Sequence, residues 1–229
     1  MDIVGIIVII FLIFGMVIGA VRGFTKELVS LIGIFVILIL SFLFKNELSV
    51  FLYTNLPFFK FGGIFKDITV LNILLYENIA FLIIFSVLMI ILKLLLALTT
   101  FFEEILTLTI ILGIPSKILG AILGFVEALI YVFITLYILK LPVFNFKIIQ
   151  ESETTEFILN TTPVLKDVCD KSLDVFNEIV ELKDEYNETN DKKAFNQKAL
   201  DIMIENNVIT KENAEMLIKK GKIKDVIVK

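Results

Sequence analysis

The first 140 residues are built from long apolar runs separated by short polar breaks. Ile3 to Val21 carries no charge, and at about 1.5 Å per residue a helix of that length matches the roughly 30 Å hydrocarbon core of a bilayer. Leu28 to Phe44 is again uncharged, and the intervening Arg22-Gly23-Phe24-Thr25-Lys26-Glu27 is too short to be more than a turn. The second helix therefore returns across the membrane as a hairpin. Asn78 to Thr100 gives a third span interrupted only by Lys93, and Ile118 to Leu139 a fourth interrupted only by Glu127. The predicted fold class is an all-α integral membrane protein with four transmembrane helices, at about 3–21, 28–44, 78–100 and 118–139. They make up a four-helix membrane domain, residues 1–141, and residues 142–229 form a charged, helical, soluble C-terminal tail.

Two stretches fit this pattern less simply. Lys45 to Glu77 holds Pro57, Gly62-Gly63 and scattered lysines yet keeps aromatic clusters at Phe51-Leu52-Tyr53, Phe58-Phe59 and Phe65, which reads as an interfacial segment among headgroups. Ile105 to Ile114 is apolar but about half the length needed to cross, and Glu103-Glu104 and Pro115 bound it. It lies at the interface or dips in and returns; a fifth span is the weaker reading.

In the tail, Val164-Leu165-Val168 and Phe176-Ile179-Val180 recur at three-to-four spacing, with Thr161-Thr162-Pro163 as a helix start. After a polar break at Asn187 to Asp191, two short helices are expected, Lys193 to Glu205 and Lys211 to Lys220, with Thr210 as N-cap and Gly221 as stop. About 80 residues with few aromatics make a thin core. The tail thus packs on itself, on the membrane or on a partner, and truncation after Leu141 is expected to leave insertion intact.

Composition agrees with a membrane location: the chain is 58% hydrophobic with a mean hydropathy of +0.93. Charge is segregated, with 8 basic and 8 acidic residues up to Lys140 and 13 and 17 beyond it. No basic stretch precedes the first apolar run, and Arg22 and Lys26 stand where a cleavage site would fall, so that run reads as an uncleaved helix. With four spans the N-terminus, the 45–77 loop and the tail share one side. Lys45, Lys60, Lys66, Lys140 and Lys147 flank the helices there, against Arg22, Lys26 and Lys117 opposite, so the positive-inside rule favours a cytoplasmic tail by 5 to 3.

The chemistry on offer is narrow. There is no histidine, and Cys169 is the single cysteine, which argues against most hydrolases and zinc enzymes. No catalytic residue, metal site or cofactor is predicted. Asp167, Asp170 and Lys171 surround Cys169, and carboxylates so close disfavour a thiolate, so it reads as a helix-face residue. The acidic tail argues against nucleic-acid binding.

Three features remain. Gly15, Gly19 and Gly23 form a smooth stripe on the first helix, repeated by Gly120, Gly124 and Ala128 on the fourth, which lets another backbone approach closely. Arg22 follows Gly19, and Glu127 follows Gly124, by three positions, a pattern open to reading as an inverted repeat or as ordinary small-residue packing. Lys93 and Glu127 lie about 10 Å and about 14 Å deep if Thr100 and Ile118 mark one membrane face. Charges at such depth are paired or face a polar cavity: the readings are an ion pair, snorkelling of Lys93, or a proton or ion pathway. Arg22, Lys26 and Glu27 read as a flanking anchor, with an anionic lipid headgroup as the alternative.

The order Asp2-Ile3, Gly15, Gly19, Arg22-Gly23-Phe24 and Glu27, with Gly33 in the second helix, resembles the colicin V production protein (CvpA) family. Gly113-Ile114-Pro115-Ser116, Gly120 and Gly124 resemble that family's glycine-rich entry into its last helix, and the resemblance covers about residues 1 to 140. It departs at the start, where only Met1 stands ahead of Asp2 in place of an Asn and an aromatic. The resemblance implies a bacterial inner-membrane protein linked to colicin V production or export and to envelope integrity, with no catalytic residue to carry across. The expectation is a non-enzymatic membrane protein whose partners are the lipid bilayer, further copies of itself or other envelope proteins. The alternative is a small transporter or channel for protons, ions or small solutes using Lys93 and Glu127. A membrane enzyme is the weakest reading, because no third polar group accompanies those two at depth.

Overall fold

The computed structural model describes residues 2–61, 68–106, 113–140, 146–162, 175, 178–179, 181–182 and 191–228. Every regular element among them is a helix: α1 (Ile3–Arg22), α2 (Phe24–Asn55), α3 (Leu71–Leu106), α4 (Gly113–Leu139), α5 (Lys147–Gln150), α6 (Glu153–Thr161), α7 (Lys192–Glu205) and α8 (Lys211–Lys219). Four of these are long and apolar enough to cross a membrane: α1, α2, α3 over Leu71–Ala97 and α4 over Ile114–Leu139. Cys169, the repeat around residues 164–176 and most of the 187–191 break lie outside the described residues.

The boundaries differ from those expected in ways the side chains explain. The six-residue turn contracts to one residue, because Gly23 at φ 80° reverses the chain while its N–H still reaches the Gly19 carbonyl at 2.9 Å. α2 has 32 residues and α3 has 36, about 48 and 54 Å of helix against the roughly 30 Å a crossing needs. The predicted interfacial segment at 45–77 is therefore helical at both ends. Lys45 tolerates this because Glu77 of α3 pairs with it at 3.0 Å. α4 begins at Gly113, well ahead of Ile118, since Pro115 sits in the first turn, where a helix needs no N–H.

Contacts divide the chain into two units, Met1–Ser41 with Phe85–Lys166, and Phe42–Ile84 with Asp167–Lys229. In the second unit Tyr53, Val70, Ile73 and Tyr76 of the α2–α3 region share one core with Ile179, Phe195, Leu200, Met203 and Leu217 of the tail. The tail thus completes its thin core with helix that a membrane crossing leaves over. The Lys222 ammonium donates to the Tyr53 and Leu56 carbonyls at 2.8 and 2.7 Å, placing positive charge at the C-terminal end of α2. Burial, with Lys220 nearby, holds Lys222 below the usual lysine range. Asn72 braces the connection: its Oδ1 accepts from the Phe59 N–H at 2.7 Å, and its Nδ2 donates to the Thr69 carbonyl at 3.1 Å. Because the tail and the α2–α3 connection form one core, an even number of crossings separates them. Among the described residues α3 and α4 are the two candidate crossings between them, and most of the apolar run at 105–114 lies outside the described residues.

The first unit holds α1, the start of α2, the later part of α3, and α4 to α6. α1 turns Ile7, Ile10, Phe14 and Val21 outward, each more than 60% exposed, as a helix solvated by hydrocarbon does. Asp2 caps α1 by accepting from the Gly5 N–H at 2.8 Å. Its carboxylate also accepts from the hydroxyls of Ser152 and Thr154, tying α1 to the start of α6. These hydrogen bonds, Ser152 first, hold Asp2 well below the usual carboxylate range. Ser152 in turn accepts from the Thr155 N–H at 3.0 Å as the N-cap of α6, so this helix ends at the Thr161 where one was expected to start.

Candidate functional site

The candidate site grows out of the contact between α1 and α4. Their two small-residue stripes interlock in antiparallel order, Gly15 facing Gly124 and Ala128, Gly19 facing Gly120 and Gly124, and Gly23 facing Gly120 and Ser116. A methyl group at Gly19 would overlap the Gly120 carbonyl oxygen and lie 2.8 Å from the Gly124 Cα, so backbone rests on backbone. At the hairpin the Phe24 N–H donates to Ser116 Oγ at 3.0 Å, fixing the start of α2 against α4.

This close approach gathers a polar cluster. Glu27, in the first turn of α2, is 1% exposed, and Arg22 at the end of α1 reaches its Oε2 at 3.6 Å. Glu127 of α4, 8% exposed, sets its carboxyl beside Glu27, and the Tyr131 hydroxyl donates to its Oε1 at 3.2 Å. Each carboxyl keeps one buried oxygen, Oε2, without a hydrogen-bond donor. Two carboxylates and one guanidinium leave a net demand for positive charge in a low-dielectric site.

Two cavities border the cluster, and both are lined by Arg22, Lys93 and Glu127. The larger, of 560 Å³, runs between α2 and α3 past Lys26, Val29, Met89 and Leu92; the smaller, of 180 Å³, lies against Phe14, Gly15 and Tyr131. Lys93 and Glu127 thus share cavity walls without an ion pair between them: Glu127 is engaged by Tyr131 and Glu27, while Lys93 is exposed. Arg22, Gly23, Phe24 and Glu27 all act at the hairpin. Sequence reading missed Tyr131, whose signal was its place one turn after Glu127, and met Ser116 only within the Gly113-Ile114-Pro115-Ser116 motif.

The chain matches the colicin V production protein family over residues 4–163, more than half its length. It belongs to that family. The match takes in all four spans and both carboxylates of the cluster, and ends beyond α6, so α7 and α8 lie outside it. A relative from Bacillus subtilis (strain 168), the uncharacterized transmembrane protein YshB, is 31% identical over 170 residues, which is 70% of this chain and 91% of that protein. No solved structure matches. This colicin V production family member is a multi-pass membrane protein.

Proposed function

We propose that this family member is a non-enzymatic inner-membrane protein that supports toxin production or export and envelope homeostasis as a fixed-shape scaffold, with copies of itself or other envelope proteins as partners. The observation that supports this best is the α1–α4 seam. Helices packed backbone to backbone slide and rotate little, which suits a part that holds others in place. The family match supports a link to toxin production, and the five-to-three distribution of flanking cations supports a cytoplasmic tail. The test is deletion in the host bacterium, scored by survival in bile salt and by release of a secreted peptide toxin. Wild type is expected to restore both, and Gly19→Leu at equal membrane abundance to restore neither. Restoration by Gly19→Leu would refute the scaffold.

A second reading, passage of protons or small cations, draws on the buried Oε2 atoms of Glu27 and Glu127 beside two cavities. Proteoliposome flux in wild type that is lost in Glu127→Gln at matched reconstitution would replace the scaffold reading with this one.

A further inference from the structure

The larger cavity reaches from the hairpin to the middle of the membrane. α1 crosses the bilayer with its 20 residues, so Gly23 at its end marks one membrane face. A methyl group at Gly33 would stand 2.7 Å from a terminal carbon of Leu92, so Leu92 and its neighbour Lys93 lie level with Gly33. That level is ten residues from Gly23, about 15 Å of helix and half of the roughly 30 Å hydrocarbon core. Lys93 is exposed there, and among the described residues no carboxylate forms an ion pair with it. A lysine stem spans about one helical turn, so snorkelling does not lift the ammonium out of the core from that depth. Charges so deep are tolerated beside a partner or beside water. Glu127, on the far wall of the same space, adjoins the Ala128 that meets Gly15, eight residues or about 12 Å from Gly23. Arg22, Thr25, Lys26 and Ser30 continue the polar wall from the hairpin down to these two, so that six of the eleven lining residues are polar. Below Lys93 the space closes: Leu92 rests on Gly33, and Ile34, Ile37 and Leu38 of α2 are all buried.

We propose that this cavity is a water-filled vestibule, open at the hairpin face and blind at its inner end, that brings water and small hydrophilic solutes to Lys93 and Glu127 inside the membrane. Its 560 Å³ is many times the roughly 30 Å³ that one water takes up. Water there lets Lys93 and Glu127 face one another without an ion pair and still keep their charges solvated. The inference needs only that the chain spans a bilayer, and its failure would leave the scaffold reading standing.

Val29 and Val17 are a matched pair for the test. Each lies six residues from Gly23, on α2 and α1, and they are 48% and 56% exposed; Val29 lines the larger cavity, whereas Val17 lines neither. The full chain carries Cys169→Ser, which removes its single native thiol, and one added cysteine at a time. The probe is the charged, membrane-impermeant (2-sulfonatoethyl) methanethiosulfonate, added outside right-side-out or inverted membrane vesicles. Lys117→Cys, next to the Ser116 that holds Phe24, reports the hairpin face, and Lys140→Cys at the other end of α4 reports the opposite one. A thiol in hydrocarbon neither ionises nor meets the probe, so Val29→Cys is expected to react about a hundred-fold faster than Val17→Cys or more. Lys93→Cys should react too, and both should do so from the side that labels Lys117→Cys. Each variant is checked for wild-type abundance and unfolding temperature and for full labelling once denatured. Val29→Cys as silent as Val17→Cys would overturn the proposal and make the cavity part of the lipid phase. Silence of Lys93→Cys would overturn the claim that water reaches the middle of the membrane, and labelling from both sides would replace the blind vestibule with a continuous pore.

Discussion

Replacing Gly19 by alanine adds one methyl group where two helix backbones already touch. The new Cβ would overlap the Gly120 carbonyl oxygen and stand 2.8 Å from the Gly124 Cα and 3.0 Å from the Gly120 carbonyl carbon. None of these atoms can turn aside, so α1 must move away from α4. Gly33 is the internal control: a methyl there would stand 2.7 and 2.8 Å from the two terminal carbons of Leu92, which a change of rotamer can withdraw. Both substitutions gain the same helix propensity, up to about 1 kcal/mol, so that contribution cancels in the comparison. Overpacking costs roughly 1–3 kcal/mol, and Gly19→Ala should fall below Gly33→Ala by about that much. The assay is thermal unfolding in detergent followed by circular dichroism, with wild type alongside. Gly33→Ala should match or exceed wild type. If Gly19→Ala unfolds at the same temperature as Gly33→Ala, the close backbone contact does not exist.

Lys45→Met should destabilise the protein by about 3–5 kcal/mol, because it strands Glu77, whose side chain is 5% exposed; adding Glu77→Leu should recover most of the loss in the same unfolding assay. The folded value of Asp2 is depressed below its ordinary 3.8, so its hydrogen bonds contribute stability above about pH 4 and lose it as pH falls toward the folded value. Wild type should therefore unfold at a higher temperature than Asp2→Asn at about pH 6, with the gap closing near pH 3; a gap independent of pH would show that the Asp2 charge plays no part. Truncation after Leu141 removes the tail half of the core around Tyr53, Ile73 and Tyr76. Insertion should survive, but limited proteolysis of membranes should cut residues 45–77 much faster than in the full chain, and unchanged cutting would mean that the tail does not cover them.

Much of this protein is legible without coordinates. Four crossings follow from run length, since a helix in hydrocarbon must satisfy its own backbone and span a known thickness. The seam follows from Gly15, Gly19, Gly120 and Gly124, since four-residue spacing puts small residues on one stripe and close packing is what such stripes do. The ends of α2 and α3 were harder to read. Lys45, Asn46 and Glu47 resemble a polar break, yet charge ends an apolar run without ending a helix, and Glu77 is 32 positions away in sequence. The tail likewise shows its helices but not the surface that completes them, because half of that core is contributed by residues 52–80.

The charged cluster marks the boundary most sharply. Position along a helix axis can be counted from sequence, and it placed Lys93 and Glu127 at similar depth; both do line the same cavities. Rotation about the axis and the spacing between helices cannot be counted, because they depend on which stripes lock together. The α1–α4 seam turns Glu127 toward Glu27 and Tyr131, while Lys93 looks across open space from α3. Depth belongs to the chain, but a charge's partner belongs to the packing, since an interaction of a few ångströms is decided by side chains from helices a hundred residues apart.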